Sequence, residues 1–175
     1  MRRLISSALA AGLLFTAACR RHEKAKIELV EDNTPSLASV VHVADPRASM
    51  QLVKGFHDIE QGAWRWTMGK FAVTLRPPRD AAAKGAMLQL KFALPDTVID
   101  KLKAVTISAN VNGTTIESET FSKAGDHVYS KPVAASALSG EAVPVDFTLD
   151  KFLPPGSVDQ RELGIVVSTI GLEAR

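Results

Sequence analysis

Alternation of apolar and polar residues is the feature that most constrains how this chain can fold. In three segments, residues 70–76 (KFAVTLR), 87–94 (MLQLKFAL) and 143–150 (VPVDFTLD), an apolar side chain recurs at every second position. Successive side chains of a β-strand point to opposite faces, so this period predicts strands with one buried face. A helix would instead place apolar residues three and four apart. The sequence therefore favours an all-β protein.

A hairpin is predicted where Asn112-Gly113 separates two alternating runs. This dipeptide accepts the positive φ angles that a type I′ turn requires at both central positions. Such a turn sets the cross-strand register on either side of it. The predicted partners are Val111 with Thr114, Ala109 with Ile116, and Ile107 with Ser118.

The remaining segments complete an antiparallel, jelly-roll-like β-sandwich of about nine strands. Residues 163–172 (LGIVVSTIGL) are apolar on both faces, which is typical of a central strand. Residues 57–66 (HDIEQGAWRW) are interpreted as a loop that enters a core strand. Residues 79–85 (RDAAAKG) could form a short helix, but a loop is favoured. Short connections rich in Pro and Gly support the sandwich class.

The N-terminus has the layout of a secretory signal. Arg2 and Arg3 precede an uncharged, mostly apolar run that ends at Cys19. Fifteen residues, 4–18, would span about 22 Å as a helix, which is short of a ~30 Å membrane core. Residues 16–19 (TAAC) resemble a bacterial lipobox, where the precursor is cut just before a lipid-modified cysteine. We therefore expect a signal peptide at 1–18, a lipid anchor and tether at 19–48, and the sandwich at 49–175.

Charge balance and the lone cysteine limit the partners that we expect for this protein. Without residues 1–18, nineteen Lys and Arg residues balance nineteen Asp and Glu residues, so we expect no nucleic-acid partner. Cys19 is the only cysteine, which excludes disulfides within the chain. The expected partner is a membrane, through lipidated Cys19. Arg20 follows the lipidated cysteine, which resembles the pattern of lipoproteins sorted to the outer membrane. We therefore expect the protein on the outer membrane, facing the periplasm, rather than on the inner membrane.

No catalytic group, cofactor or metal site is predicted. The four histidines are scattered and the sequence contains no Gly-x-Ser-x-Gly motif. Trp64 and Trp66 should share one face of a strand, where they could stack against sugar rings or fill the core. The core is favoured for Trp66, and both possibilities stay open for Trp64. Trp64, His57 and Asp58 are the candidate contacts to a glycan or a protein partner.

Several short motifs, taken in order, resemble a known family. They are a Gly-aromatic-x-x-x-Glu opening, an Arg-Trp-Thr strand, a Val-Asn-Gly hairpin and a late Asp-x-Arg-x-Leu-Gly. In this sequence they are Gly55, Phe56 and Glu60; Arg65, Trp66 and Thr67; Val111, Asn112 and Gly113; and Asp159, Arg161, Leu163 and Gly164. The succession resembles a β-sandwich module attached to bacterial glycosyltransferases of cell-surface polysaccharide assembly.

The resemblance implies a jelly-roll sandwich similar to carbohydrate-binding folds. It also implies that the last strand lies near the first ones, which would bring Arg161 to Glu60 as a structural pair. Because the chain carries no glycosyltransferase domain, we expect no transferase activity.

Three functions remain open at this point. The first is a lipid-anchored, non-catalytic module that binds glycan or a polysaccharide-assembly protein. The second is a structural envelope lipoprotein that makes protein contacts only. The third, favoured least, is a glycoside-cleaving enzyme, for which two carboxylates would have to face each other in a cleft.

Overall fold

The computed structural model describes residues 36–157 and 159–175, which form nine strands and two short α-helices. The strands are β1 (Val40–His42), β2 (Leu52–Glu60), β3 (Trp64–Leu75), β4 (Ala86–Leu94), β5 (Val105–Val111), β6 (Thr114–Phe121), β7 (Gly125–Val133), β8 (Val143–Leu149) and β9 (Val166–Ala174). The helices are α1 (Ala81–Lys84) and α2 (Asp96–Leu102), and 3-10 turns form at Pro46–Ala48 and Ala135–Ala137.

All strand pairs are antiparallel. The hydrogen-bonded path runs β6-β5-β8-β3-β9-β4-β7, with β1 added to β9 and β2 added to β3. Strand β3 pairs with β8 through residues 70–75 but with β9 only at residues 65 and 66. The sheet therefore turns a corner between β3 and β9, and two layers result. This arrangement confirms the predicted all-β antiparallel sandwich of about nine strands and the central position of the last strand.

Strands β6 and β7, the two ends of this path, meet through their side chains. Tyr129 Oη on β7 donates a 2.6 Å hydrogen bond to the backbone oxygen of Glu117 on β6. Lys131 Nζ lies 3.1 Å from the Glu119 carboxylate. Burial, with the negative charges of Glu119 and Glu117 nearby, raises the pKa of Tyr129 to about 12, so the phenol stays a donor at neutral pH. The sheet nearly closes into a flattened barrel.

The core consists of the apolar positions that the two-residue period predicted. All eleven such residues of the three alternating segments are buried. They are Phe71, Val73, Leu75, Leu88, Leu90, Phe92, Leu94, Val143, Val145, Phe147 and Leu149. Aromatic rings join the layers, since Phe92 on β4 meets Phe121 on β6 edge to face at 5.0 Å between centroids.

Both α-helices depart from the sequence prediction. Residues 81–84 are helical, although a loop was favoured, because alanine is the best helix former and Ala81 is buried. Helix α2 was missed because Pro95-Asp96 was taken as a chain breaker. Pro95 instead precedes the helix and Asp96 occupies its first turn, where a carboxylate is favourable.

One register and one boundary also differ from expectation. Val111 faces Thr114 and Ala109 faces Ile116 as predicted, but Ile107 faces Glu119 rather than Ser118. A bulge between Ile107 and Ala109 adds one residue to β6, which a turn-based register cannot reveal. Residues 40–48, assigned to the tether, belong to the sandwich, because β1 pairs with β9 and Val41 and Val43 are buried.

Among the residues described, no helix is long and apolar enough to cross a membrane. The predicted signal peptide, Cys19 and most of the predicted tether lie outside those residues.

Candidate functional site

The two tryptophans begin β3 directly after a tight turn. Glu60 at the end of β2 faces Trp64, and the turn between them contains Gln61 and Gly62 at positive φ angles of 49° and 68°. The segment 57–66, interpreted from sequence as a loop, is therefore a β-hairpin. Glycine at the second position accepts that backbone conformation at no steric cost, and this was the local signal that the sequence interpretation missed.

Trp64 and Trp66 share the outer face of β3. Thr67 and Phe71 are buried, so the tryptophans, at even positions, lie on the opposite face of the strand. Trp66 is partly buried and packs against the core, whereas the sequence favoured a position inside it. Trp64 is partly exposed and lines a surface groove. The ambiguity that the sequence left at Trp64 is thus decided by its place on the sheet.

The groove has a volume of about 440 Å³ and crosses four adjacent strands. Strand β3 contributes Trp64. The other strands contribute small apolar and polar side chains, chiefly Val166 and Ser168 on β9, Lys91 and Ala93 on β4, and Asp126 and Val128 on β7. Phe92 on β4 and His127 on β7 also line the groove. The surface therefore combines the partly exposed Trp64 indole with hydrogen-bonding groups of both kinds, donors and acceptors.

Lys91 and Asp126 carry the formal charges of this groove. Both side chains are exposed. Neither forms a salt bridge within residues 36–157 and 159–175, where seven such contacts occur elsewhere. Their charged ends are available to a ligand.

His57 and Asp58, the other candidate contacts from sequence, do not line the groove. His57 Nε2 lies 2.7 Å from the backbone oxygen of Glu162, so its ring is engaged in a hydrogen bond between segments. Asp58 is exposed on β2. The structure brings neither of them to the lining with Trp64.

Glu60 and Arg161 meet at the tip of the hairpin. Arg161 Nη1 donates a 2.7 Å hydrogen bond to Glu60 Oε1. The same guanidinium donates to both oxygens of Asp159, at 3.1 Å from Nε and 2.9 Å from Nη2. Hydrogen bonds from the side chain and backbone of Arg161 lower the pKa of Asp159 to about 2, and the two carboxylates raise the pKa of Arg161.

Residues 162–165, which follow Arg161, form hydrogen bonds with β3. Gly164 N donates to Thr67 O at 2.7 Å, and Thr67 N donates to Ile165 O at 2.9 Å. Glu162 Oε1 accepts from Gly69 N at 2.7 Å. Most residues of the first, second and fourth sequence motifs thus lie in or beside one structural junction between the β2–β3 hairpin and residues 159–165.

Sequence reasoning missed Lys91, Asp126 and Ser168. The two-residue alternation of residues 87–94 did predict that Lys91 lies on the outward face of its strand. What could not be foreseen is that β4 and β7 lie beyond β9 on the tryptophan side, because those neighbours are far apart in sequence.

No cluster of three or more His, Cys, Asp or Glu side chains has the arrangement of a metal site in the described part of the chain.

Comparison with known proteins gives similarities of fold alone. No family model and no curated protein matches the sequence. The CBM36-1 domain of a multidomain xylanase, from the hindgut metagenome of Trinervitermes trinervoides, aligns with 78% of this chain and 96% of that domain, at 8% identity and a TM-score of 0.42. An acetyl xylan esterase from the rumen bacterium Butyrivibrio proteoclasticus aligns with 80% of this chain at 11% identity and a TM-score of 0.44.

A third structure contains the CBM51-2 domain, in complex with GlcNAc, and INT domains from Clostridium perfringens ZmpB. It aligns with 78% of this chain at 10% identity and a TM-score of 0.37. This chain spans 33% of the esterase and 28% of the ZmpB structure. All three of these TM-scores are below 0.5.

Proposed function

We propose that this protein is a lipid-anchored, non-catalytic β-sandwich of the bacterial envelope that binds glycan in the groove beside Trp64. The observation that carries the proposal is a partly exposed tryptophan on a sheet face, in a groove that also carries Lys91 and Asp126. A sugar ring has an apolar face that can cover an indole ring and hydroxyl groups that donate and accept hydrogen bonds. The groove offers a complement to both.

The anchor and location complete the proposal. The lipobox-like residues 16–19 place acyl chains on Cys19, and the chain that follows tethers the sandwich to the membrane. Arg20 after the anchor favours the outer membrane, with the sandwich facing the periplasm. The motifs shared with glycosyltransferase-attached modules suggest an accessory role in polysaccharide assembly, in which the protein holds a glycan while other proteins act on it.

A binding experiment tests this function. Full-length protein, solubilised in a detergent that has no sugar headgroup, is applied to an array of neutral and uronic-acid glycans. We expect at least one glycan to be retained, and Trp64→Ala to weaken its binding by at least about tenfold because the stacking surface is lost. Trp64→Phe, which keeps an aromatic face, should bind better than Trp64→Ala.

The matched control is Met68→Ala, which removes another exposed apolar side chain from the outer face of β3 without touching the groove. Equal binding by wild-type protein and Trp64→Ala would contradict the proposal. Release of shortened glycan during incubation would contradict the non-catalytic part.

One observation favours protein contacts as the alternative function. Met50, in the turn before edge strand β2, and Val53, within that strand, are 76% and 59% exposed. Exposed apolar side chains beside an unpaired strand edge suit a protein partner. This function would be favoured if the array retains no glycan and if chemical cross-linking joins the wild-type protein, but not a Met50→Ser and Val53→Ser double variant, to an envelope protein.

A further inference from the structure

The groove runs across the strands. Its lining comes from β3, β9, β4 and β7, which are neighbours in that order. Adjacent strands lie ~4.8 Å apart, so the distance from β3 to β7 across the groove is about 14 Å. A single sugar ring stacked on Trp64 would cover only the β3 end of this length.

The register shows which residues lie side by side across these strands, starting from Trp66, which shares a strand face with Trp64. Trp66 faces Val166 on β9, Val166 faces Ala93 on β4, and Ala93 faces Asp126 on β7. Lys91 lies two residues before Ala93 and so shares the outward face, as Val128 does with Asp126. A second group of polar side chains, Lys91 and Asp126, is therefore built on the two strands farthest from Trp64.

The charges of this second group oppose each other. A sugar carboxylate or phosphate would be attracted by Lys91 but repelled by Asp126 on the neighbouring strand. An uncharged ring meets no such conflict, because its hydroxyls can accept from the ammonium group and donate to the carboxylate. Ser168, on β9 between Trp64 and Lys91, donates its hydroxyl hydrogen to the backbone oxygen of Lys91 at 3.3 Å and can accept a hydrogen bond from the ring.

We propose that the groove holds an internal stretch of an uncharged polysaccharide, several rings long, that crosses β3, β9, β4 and β7. Trp64 stacks on one ring, and Lys91 with Asp126 forms a second subsite that hydrogen-bonds a later ring. The inference rests on the proposed glycan-binding function and adds its ligand class and the second subsite.

The test uses the best neutral glycan from the array, prepared as mono-, di-, tetra- and hexasaccharide, and measures the dissociation constant by calorimetry. Affinity should rise from monosaccharide to tetrasaccharide and then level off. Lys91→Met should weaken tetrasaccharide binding by at least about tenfold, as expected for loss of a hydrogen bond to a charged group, and Asp126→Asn, which keeps an acceptor but removes its charge, by about fivefold. Both variants should therefore reduce the gain in affinity from monosaccharide to tetrasaccharide.

Lys101→Met and Asp100→Asn, exposed changes of the same kind on α2, are the matched controls and should bind like wild type. Thermal unfolding of every variant identifies any that fails to fold, and Lys91→Gln and Asp126→Ser then replace those variants. Because the ligand is uncharged, raising the salt concentration from about 0.05 M to about 0.5 M should change affinity less than twofold.

The outcomes separate this inference from the proposed function. If Trp64→Ala abolishes binding but affinity is the same at every ligand length, or Lys91 and Asp126 variants bind normally, the second subsite is wrong and the glycan-binding function stands. Stronger, salt-sensitive binding of uronic-acid glycans overturns the uncharged ligand class. Binding of no glycan at any length overturns both.

Discussion

At the scale of single residues, Gly164, the last residue of the Asp-x-Arg-x-Leu-Gly motif, lies where a side chain does not fit. A side-chain carbon added there would lie 2.7 Å from Thr67 Oγ1 and 2.8 Å from the backbone oxygen of Met68. The same residue donates a 2.7 Å backbone hydrogen bond to Thr67. Close approach of the two backbones is what allows residues 159–165 to join β3, so any side chain at position 164 would separate them.

We therefore expect Gly164→Ala to lower the free energy of unfolding by about 1–3 kcal/mol, the usual cost of overpacking. Urea denaturation measures this change. Gly156→Ala is the control, because the nearest atom to an added side chain there is 4.0 Å away. Equal unfolding midpoints for the two variants would show that the Gly164 contact does not constrain the fold.

At the scale of elements, the β2–β3 hairpin and residues 159–165 stabilise each other. Arg161 joins Glu60 at the end of β2 to Asp159 on its own segment. Since Glu60 faces Trp64 across the hairpin, the same contact lies one strand away from the edge of the groove. The fork geometry of a guanidinium suits two carboxylates at once and orients the segment as well as attracting it.

A double-mutant cycle measures this contact. The Glu60 and Arg161 side chains are 35% and 38% exposed, so solvent screens their attraction, and we expect a coupling energy of about 0.5–1 kcal/mol between Glu60→Gln and Arg161→Met. The control is the same cycle with Lys54→Met and Asp146→Asn. These two side chains are more exposed, at 60% and 50%, so their coupling energy should be smaller. A coupling no larger than that control would mean that the pair does not hold the hairpin.

At the scale of the whole molecule, one sandwich is proposed to stand on a membrane anchor. The path of strands ends at β6 and β7, which contact each other through side chains such as Tyr129 and so nearly close the sheet. The groove lies on the outside of this body. A tethered binding domain of this kind would keep its glycan near the membrane surface without chemistry of its own.

The anchor gives a prediction for the intact protein. Mass spectrometry of membrane-extracted protein should find an acylated N-terminus at Cys19, as the lipobox-like residues 16–19 predict. Each buried methylene of an acyl chain contributes about 0.8 kcal/mol to membrane binding, so several chains would hold the protein on the membrane. Cys19→Ser should prevent both cleavage before residue 19 and acylation. A soluble mature protein with a free Cys19 thiol would contradict the lipid anchor.

Local sequence patterns predicted much of the fold, but they did not predict the groove. The buried faces of β3, β4 and β8 were predicted residue by residue from period two. The bulge beside Ile107 and the helix after Pro95 were missed, because each depends on packing that overrides a local rule. Of the candidate contacts, only Trp64 lines the groove, while His57 bonds to the segment before β9.

The sequence by itself determined the class of fold, because inward and outward positions along a strand are set by neighbours in the chain. It also carried the lipobox-like motif, which is local. Only the tertiary structure decided that Trp64 faces solvent and that Lys91 and Asp126 lie beyond it. The physical reason is that strand adjacency depends on contacts between distant segments, and β3, β9, β4 and β7 become neighbours only when the whole core is packed.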